Sequence, residues 1–377
     1  MPRLRVLFLI DNFVGTGGAE RFALGLATHL SPERFELWVC STRQAEPALL
    51  AQLDDAGVGH LHLGRTRKSD VHRFGRLLGL LRRQRIDILH AHMFGSNLWG
   101  SILGRAAGVP VVIAHEQTWS YDGDPLRRFL DGQVIGRLAT RFVAVSTRDA
   151  ERMVSVERVP ASKVVMIPNA YVPRATVADT NLRAELGVAP STPLVGSIAV
   201  LRPQKALSVL LDAHAIVLRS VPDAHLVIAG DGDCRRSLEQ QTARLGIADR
   251  VHFLGRRDDV DALLRSIDLT VMSSDYEGTP LVALESMASG TPLVATAVGG
   301  LPDIIEDGRS GRLVPPRDPG GLASAIVELL ADPGLREEMA QAASQRLPEF
   351  SIETATARFS SLYEHLAVTA GNRNGRR

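Results

Sequence analysis

The sequence predicts two doubly wound α/β domains, each built on a parallel sheet. Three observations carry this expectation: a length of 377 residues, short apolar runs alternating with longer amphipathic stretches, and a restart of that rhythm after about residue 190. One hydrophobic core rarely serves so long a chain, so two domains of about 150 to 200 residues are expected. Hydrophobic residues at 45% and charged residues at 23% supply apolar surface for two cores and exclude bulk disorder. A formal net charge of +1 provides no global field, so nucleic acid is not an expected partner. Cys40 and Cys234 lie far apart and form no Cys-x-x-Cys pattern, which argues against a disulfide framework or zinc ribbon and for a reducing compartment.

Taken in order, Arg3 and Arg5 ahead of the apolar run 6–10 mimic a secretory leader, but the run ends at Asp11 without a small-residue cleavage site, and a first strand fits better. Further strands are expected at 86–89, 109–114 and 142–145, then at 194–199, 226–229, 251–254, 269–272 and 293–295. Their lack of alternation suits strands buried on both faces. Pro173, Gly187 and Pro190 mark a linker over 171–190, which sets the domains at 1–172 and 173–350. No apolar stretch approaches the roughly 18 residues of a membrane span. The tail 369–377, rich in Gly, Asn and Arg from Gly371 on, is expected to be flexible. Open parallel sheets bind ligands beyond the carboxyl ends of their strands, so a cleft where the two domains face one another is the expected site.

The stretch from Ser273 to Thr296 reads as strand, loop, helix, turn and strand. Glu277 falls in the loop, Pro280 suits the first helical turn, and Gly290 before Thr291-Pro292 marks the helix end. The amides around Gly278, Thr279 and Leu281 would then start a helix, a place that favours a phosphate by about 0.3 to 1 kcal/mol. Glu285 sits among Leu281, Val282, Leu284, Met287 and Ala288, so its carboxylate is expected to be at least partly buried and to need a partner, for which vicinal hydroxyls of a ribose or a sugar would serve. A capping or salt-bridged glutamate is the alternative for each residue taken alone. Gly15-x-Gly17-Gly18-Ala19-Glu20 follows the first strand and opens a helix, where glycine admits close approach of a ligand. A dinucleotide loop is the competing interpretation, weakened by Glu20 at the place of the third glycine of Gly-x-Gly-x-x-Gly.

Glu277 and Glu285, with Glu-Gly-Thr-Pro-Leu between them and Ser-Gly-Thr-Pro-Leu-Val-Ala-Thr after, closely resemble the signature of glycosyltransferase family 4. The resemblance extends over nearly the whole chain. It implies the GT-B fold, two Rossmann-like domains facing across a cleft, with a final helix at about 351–368 packing back on the first domain. It further implies a retaining transfer from a nucleotide-sugar, UDP- or GDP-linked, to a glycan, lipid-linked or small-molecule acceptor, with no cofactor and no metal. By the same likeness Glu277 contacts hydroxyls of the transferred sugar and Glu285 the ribose. Gly17 and Gly18 lie against the donor phosphates and the acceptor, and Gly278, Thr279, Pro280 and Leu281 line the donor site. Arg202 and Lys205, in Leu-Arg-Pro-Gln-Lys-Ala, are similar to the family's phosphate-binding cations, although Ala206 stands where many members carry glycine and the arginine is three residues before the lysine rather than five. Two cations can neutralise a leaving diphosphate without a metal.

His115-Glu116 resembles a His-Asp pair that the family places beside the donor sugar, with Glu replacing Asp. His90-Ala91-His92 ends another strand, and alternation puts both imidazoles on one side. A metal would need further ligands that the local sequence lacks. The pair also resembles a His-x-His that the family commonly shows at this place, and that likeness implies a role on the acceptor side. Asn169 resembles the family's Pro-Asn lead into the second domain, and Gly255-Arg256 the loop that receives the nucleotide base, with Gly230-Asp231-Gly232 a second such turn. Arg65, Arg67, Lys68, Arg73, Arg76, Arg82, Arg83 and Arg85 accompany Val71, Phe74, Leu77, Leu78 and Leu81, so 65–85 reads as an amphipathic helix with a cationic edge. It would cover the sheet or lie on anionic lipid. Cytoplasmic location, peripheral contact with the inner membrane face and a role in cell-envelope polysaccharide or glycolipid assembly are the corresponding expectations. A catalytically silent sugar-nucleotide or glycan-binding protein and a nucleotide-sugar epimerase are the alternatives.

Overall fold

The computed structural model describes residues 3–15, 17–67, 69–117, 124–173 and 180–374. Lys68, residues 174–179 of the expected linker and residues 375–377 of the expected tail lie outside them. The chain divides into two compact units, 1–172 with 350–377, and 173–349.

In the first unit, strands β1 (Leu4–Phe13), β2 (Phe35–Ala45), β3 (Gly59–His62), β4 (Ile88–His92), β5 (Val111–His115), β6 (Arg141–Ala144) and β7 (Val164–Met166) form one sheet in the order β3-β2-β1-β4-β5-β6-β7. All neighbours pair in parallel. Val6, Phe8 and Ile10 pack on one face with the helix Gly18–His29, and Leu7 and Leu9 on the other with Phe74, Leu77 and Leu81. That two-sided burial explains the unbroken apolar runs. The final helix, Ile352–Asn374, returns to this sheet through Ile352, Ala355, Phe359, Tyr363 and Leu366, a stripe spaced at three and four residues. Tyr171 N–H donates to the Phe350 carbonyl at 2.8 Å where the chain re-enters the unit. The helix continues to Asn374, so the residues 369–374 expected to be a loose tail are helical.

The second unit carries β8 (Leu194–Ile198), β9 (His225–Ala229), β10 (Val251–Gly255), β11 (Leu269–Met272), β12 (Leu293–Thr296) and β13 (Arg312–Val314), in the order β10-β9-β8-β11-β12-β13, again all parallel. The expected linker is shorter than 171–190. Asn181 caps a short helix, Leu182–Glu185, and Leu182 is fully buried against Val260, Leu263 and Ile267 of this unit.

The cationic segment is also corrected. Among the described residues of 65–85 only a 3-10 turn at Asp70–Arg73 and a helix at Phe74–Arg83 form, because Arg65 is buried with its guanidinium 4.2 Å over the Phe74 ring and Arg85 adopts a positive φ of 47° that ends the helix. Arg73 donates to the carbonyls of Leu63 and Gly64, and Arg82 to that of Ala106, so part of the expected edge is tied to the domain's own backbone.

Candidate active site

Strand order reverses between β8 and β11, and the loops that leave the carboxyl ends of these two strands define a crevice at a topological switch point. The loop after β8 brings Arg202 and Lys205, and the loop after β11 brings Glu277. Lys205 Nζ donates to Glu277 Oε1 at 2.6 Å, and Ser274 Oγ donates to the same oxygen at 2.6 Å. The loops are sewn together by Asp275 N–H to Gln204 O, Gln204 Nε2 to Tyr276 O, and Ser273 Oγ to Lys205 O. Glu277 is 6% exposed and Glu285 1%, so two carboxylates are withdrawn from water at one end of this sheet. Arg202 is exposed and forms no ion pair among the described residues.

The helix that carries Glu285 runs Leu281–Ala288, so Pro280 caps it from outside rather than opening its first turn. Ala206, at the start of the helix Leu207–Ser220, has φ 45° and ψ 38°. This left-handed geometry suits glycine, which is the physical reason a glycine would be favoured where this chain has alanine. Gly255 has φ 68° and its carbonyl accepts from Gly230 N–H at 2.7 Å, which joins the two turns singled out in the sequence, while Arg256 is exposed beside Asp258.

The first unit has its own switch point, between β1 and β4. The Gly-rich loop follows β1, with Gly15 N–H donating to Glu46 and Gly17 as the N-cap of the helix that Gly18 begins. His90 and His92 close β4 and His115 closes β5; all three are fully buried, and their nitrogens lie within 4.8 Å of one another. His115 is thus the third imidazole that the local His-x-His sequence does not supply, brought in by the pairing of His92 with His115 across adjacent strands. Both nitrogens of His90 are engaged, Nδ1 with Tyr363 Oη at 2.7 Å and Nε2 with His115 Nδ1 at 3.1 Å. Asn97 clamps the His115 backbone, accepting from its N–H at 3.0 Å and donating to its carbonyl at 3.1 Å. Met93, between His92 and the helix Phe94–Ala107, holds φ 69°, a strained conformation for a residue with a side chain. Asn169 is buried within this unit.

The model of group 1 glycosyl transferases matches residues 178–346, and that of glycosyltransferase family 4 matches residues 16–173. An uncharacterized glycosyltransferase of Methanocaldococcus jannaschii is 31% identical over 274 residues, which cover 69% of this chain and 70% of that one. The chain belongs to glycosyltransferase family 4. A D-inositol 3-phosphate glycosyltransferase of Streptomyces avermitilis is 32% identical over 302 residues, 74% of this chain, and the chain spans 65% of that relative's length. The fold is that of GT-B glycosyltransferases: Anabaena HepE, solved in complex with UDP, superposes with a TM-score of 0.81 at 22% identity, covering 96% of this chain and all of that one.

Within this family 4 chain the structure brings together Lys205 and Glu277 in one unit, and His90, His92 and His115 in the other. Sequence reasoning missed Ser274, Gln204, Asn97, Tyr363 and Gly299. The Gly299-Gly300 step after β12 was the available signal, since paired glycines beyond a parallel strand mark a close backbone approach.

Burial also sets a pH dependence of stability. It lowers the folded-state pKa of His92 to about 3 and of His214 to about 4. It holds His90 and His115 well below 6.5, with their imidazole neighbours adding to the effect. Burial raises Asp131 to about 8 and Glu116 well above 4.5. As pH falls below 6.5 the unfolded chain protonates its histidines while the folded one does not, so stability present above 6.5 is lost down to about 4. The two carboxyls act oppositely, their contribution being lost as pH rises from their unfolded values through about 8. Burial lowers His225 and His252 as well, so six depressed histidines outweigh two raised carboxyls below pH 6.5. The urea midpoint is therefore expected to peak near pH 6.5 and fall on both sides; a midpoint that rises on acidification to pH 5 contradicts this balance.

Proposed function

We propose that this chain moves a glycosyl group from a nucleoside diphosphate sugar to an acceptor hydroxyl with retention of configuration and without a metal. The observation that carries the reading is the Lys205–Glu277 pair at the switch point of the second sheet. An ammonium has three donor hydrogens, so Lys205 can keep one on Glu277 and offer others to the diphosphate as negative charge develops on it. Arg202, exposed on the same loop, adds a second cation. Glu277 accepts hydrogen bonds from hydroxyls of the transferred sugar, and Glu285 from the ribose. The acceptor oxygen bonds to the anomeric carbon on the side from which the diphosphate departs, and its proton passes to the leaving phosphate oxygen. No side chain becomes glycosylated. The complexes of HepE with UDP and with UDP-glucose support a sugar-nucleotide donor.

The reaction belongs to cell-envelope polysaccharide or glycolipid assembly in the cytoplasm, on a glycan, lipid-linked or small-molecule acceptor. Arg76 and Arg83, flanking a pocket of about 430 Å³ with Gly75 and Gly79, would meet the inner membrane face, which co-sedimentation with anionic liposomes reads directly. The test of the central reading is a thermal-shift screen of nucleotide-sugars with and without EDTA, on the native chain and Glu285→Ala. Stabilisation by one donor, indifferent to EDTA and lost in the variant, is expected. No shift with any donor at saturation would instead support a catalytically silent protein, and an inverted product would exclude retention.

A further inference from the structure

A neutral imidazole carries one proton, so a chain of ring nitrogens in contact runs in one of two directions. Tyr363 Oη, His90 and His115 form such a chain, and it continues to the terminal amide of Gln117, whose Nε2 is placed 3.4 Å from His115 Nε2 and 3.3 Å from His92 Nδ1. Phe8, Phe22 and Phe359 enclose the rings, and Tyr363 itself packs against Phe35 in the apolar core. Among the described residues the Tyr363 hydroxyl meets His90 alone. If His90 carried its proton on Nδ1, the phenolic hydrogen would be buried without an acceptor, deep in the core where no substrate reaches it, and such a loss is costly.

The other direction satisfies the core. Tyr363 donates to His90 Nδ1, His90 donates from Nε2 to His115 Nδ1, and His115 carries its proton on Nε2. That proton meets the Gln117 amide, which must be turned by half a turn from the orientation above so that Oε1 takes the place of Nε2; the same oxygen then accepts from His92 Nδ1. Two groups stay unmet at the carboxyl ends of β4 and β5: Nε2 of His92, and the far atom of the Gln117 amide. One is an acceptor and the other, now NH2, a donor. A hydroxyl group can satisfy both.

We propose that the one-way chain Tyr363, His90, His115, Gln117 locks His115 as the Nε2–H tautomer and turns Gln117 so that its NH2 group and His92 Nε2 receive a substrate hydroxyl. Tyr363 and His90 are positioning residues. The identity of the hydroxyl as a sugar's rests on the proposed transferase activity; the tautomer does not.

The test uses the full chain labelled with 15N-histidine and free of substrate, with long-range proton–nitrogen correlation and His115 assigned through His115→Gln. The native chain is expected to show Nε2–H at His90 and His115. In Tyr363→Phe, which removes one oxygen and keeps the ring, His115 loses that single tautomer, and kcat falls about tenfold while the donor KM stays within about twofold, the scale of one hydrogen bond. If that variant fails to fold, His90→Gln interrupts the same chain one link on. An Nδ1–H tautomer at His115 in the native chain, or an unchanged tautomer in Tyr363→Phe, overturns the proposal. Failure of every nucleotide-sugar to bind would sink the transferase reading and leave the tautomer result standing, so the two failures are distinguishable.

Discussion

Replacing Lys205 by alanine is expected to lower kcat/KM by about a hundred- to a thousandfold, the scale of one electrostatic contact made at a developing charge. Two effects add. The variant loses the cation proposed to face the leaving diphosphate, and it leaves Glu277, 6% exposed, with Ser274 at 2.6 Å in place of a charge partner. Breaking a buried pair costs about 3 to 5 kcal/mol, but Lys205 is 22% exposed, so water repays part of it and the stability loss should fall below that range. Lys205→Arg tests geometry rather than charge. The planar guanidinium is wider than an ammonium and cannot reproduce a single 2.6 Å contact while aiming other protons elsewhere, so partial activity is expected. Steady-state assays with the donor found by thermal shift, read beside urea denaturation, separate the two effects. Near-native kcat/KM in Lys205→Ala would remove the lysine from the mechanism.

The sheet strands were legible where they were long apolar runs. Residues 6–10 and 269–272 announced β1 and β11 because burial on both faces leaves no polar interruption. Strands β2, β3, β7 and β13 were not legible: Phe35–Ala45 is interrupted by Glu36, Ser41, Thr42, Arg43 and Gln44, Gly59–His62 alternates His with other residues at a sheet edge, and Val164–Met166 and Arg312–Val314 have three residues each. The site was legible where chemistry is local, as in Glu277 with Glu285. It was not where partners arrive from afar, since Tyr363 lies 273 positions from the His90 it touches and nothing in the His-x-His pattern points to it. Likewise the cationic edge at 65–85 was overstated, because composition counts arginines and cannot tell which will spend their protons on backbone carbonyls.

Gly299→Ala is expected to abolish donor-induced stabilisation and to lower activity by more than about a hundredfold, although residue 299 needs no contact with substrate. Gly299 has φ 54°, and a Cβ there would lie 1.8 Å from the carbonyl oxygen of Glu277. No rotamer can relieve a clash between two main chains. Gly300 N–H also donates to Gly278 O at 2.9 Å, so the loop after β12 is the bed on which the Glu277 loop rests. To admit the methyl group that bed must shift by more than 1 Å, and a displacement of that size at reacting groups costs about a hundredfold. Gly290→Ala is the matched control. Its φ of 69° imposes the same left-handed penalty of about 1 to 2 kcal/mol, but nothing lies within 4 Å of the added Cβ. Gly290→Ala should therefore lower the urea midpoint and keep donor binding, whereas Gly299→Ala should lose both. Equal donor binding in the two variants would mean that the position of Glu277 does not depend on the glycine loop beneath it, and the role assigned to that carboxylate would have to be carried by groups elsewhere on the second sheet.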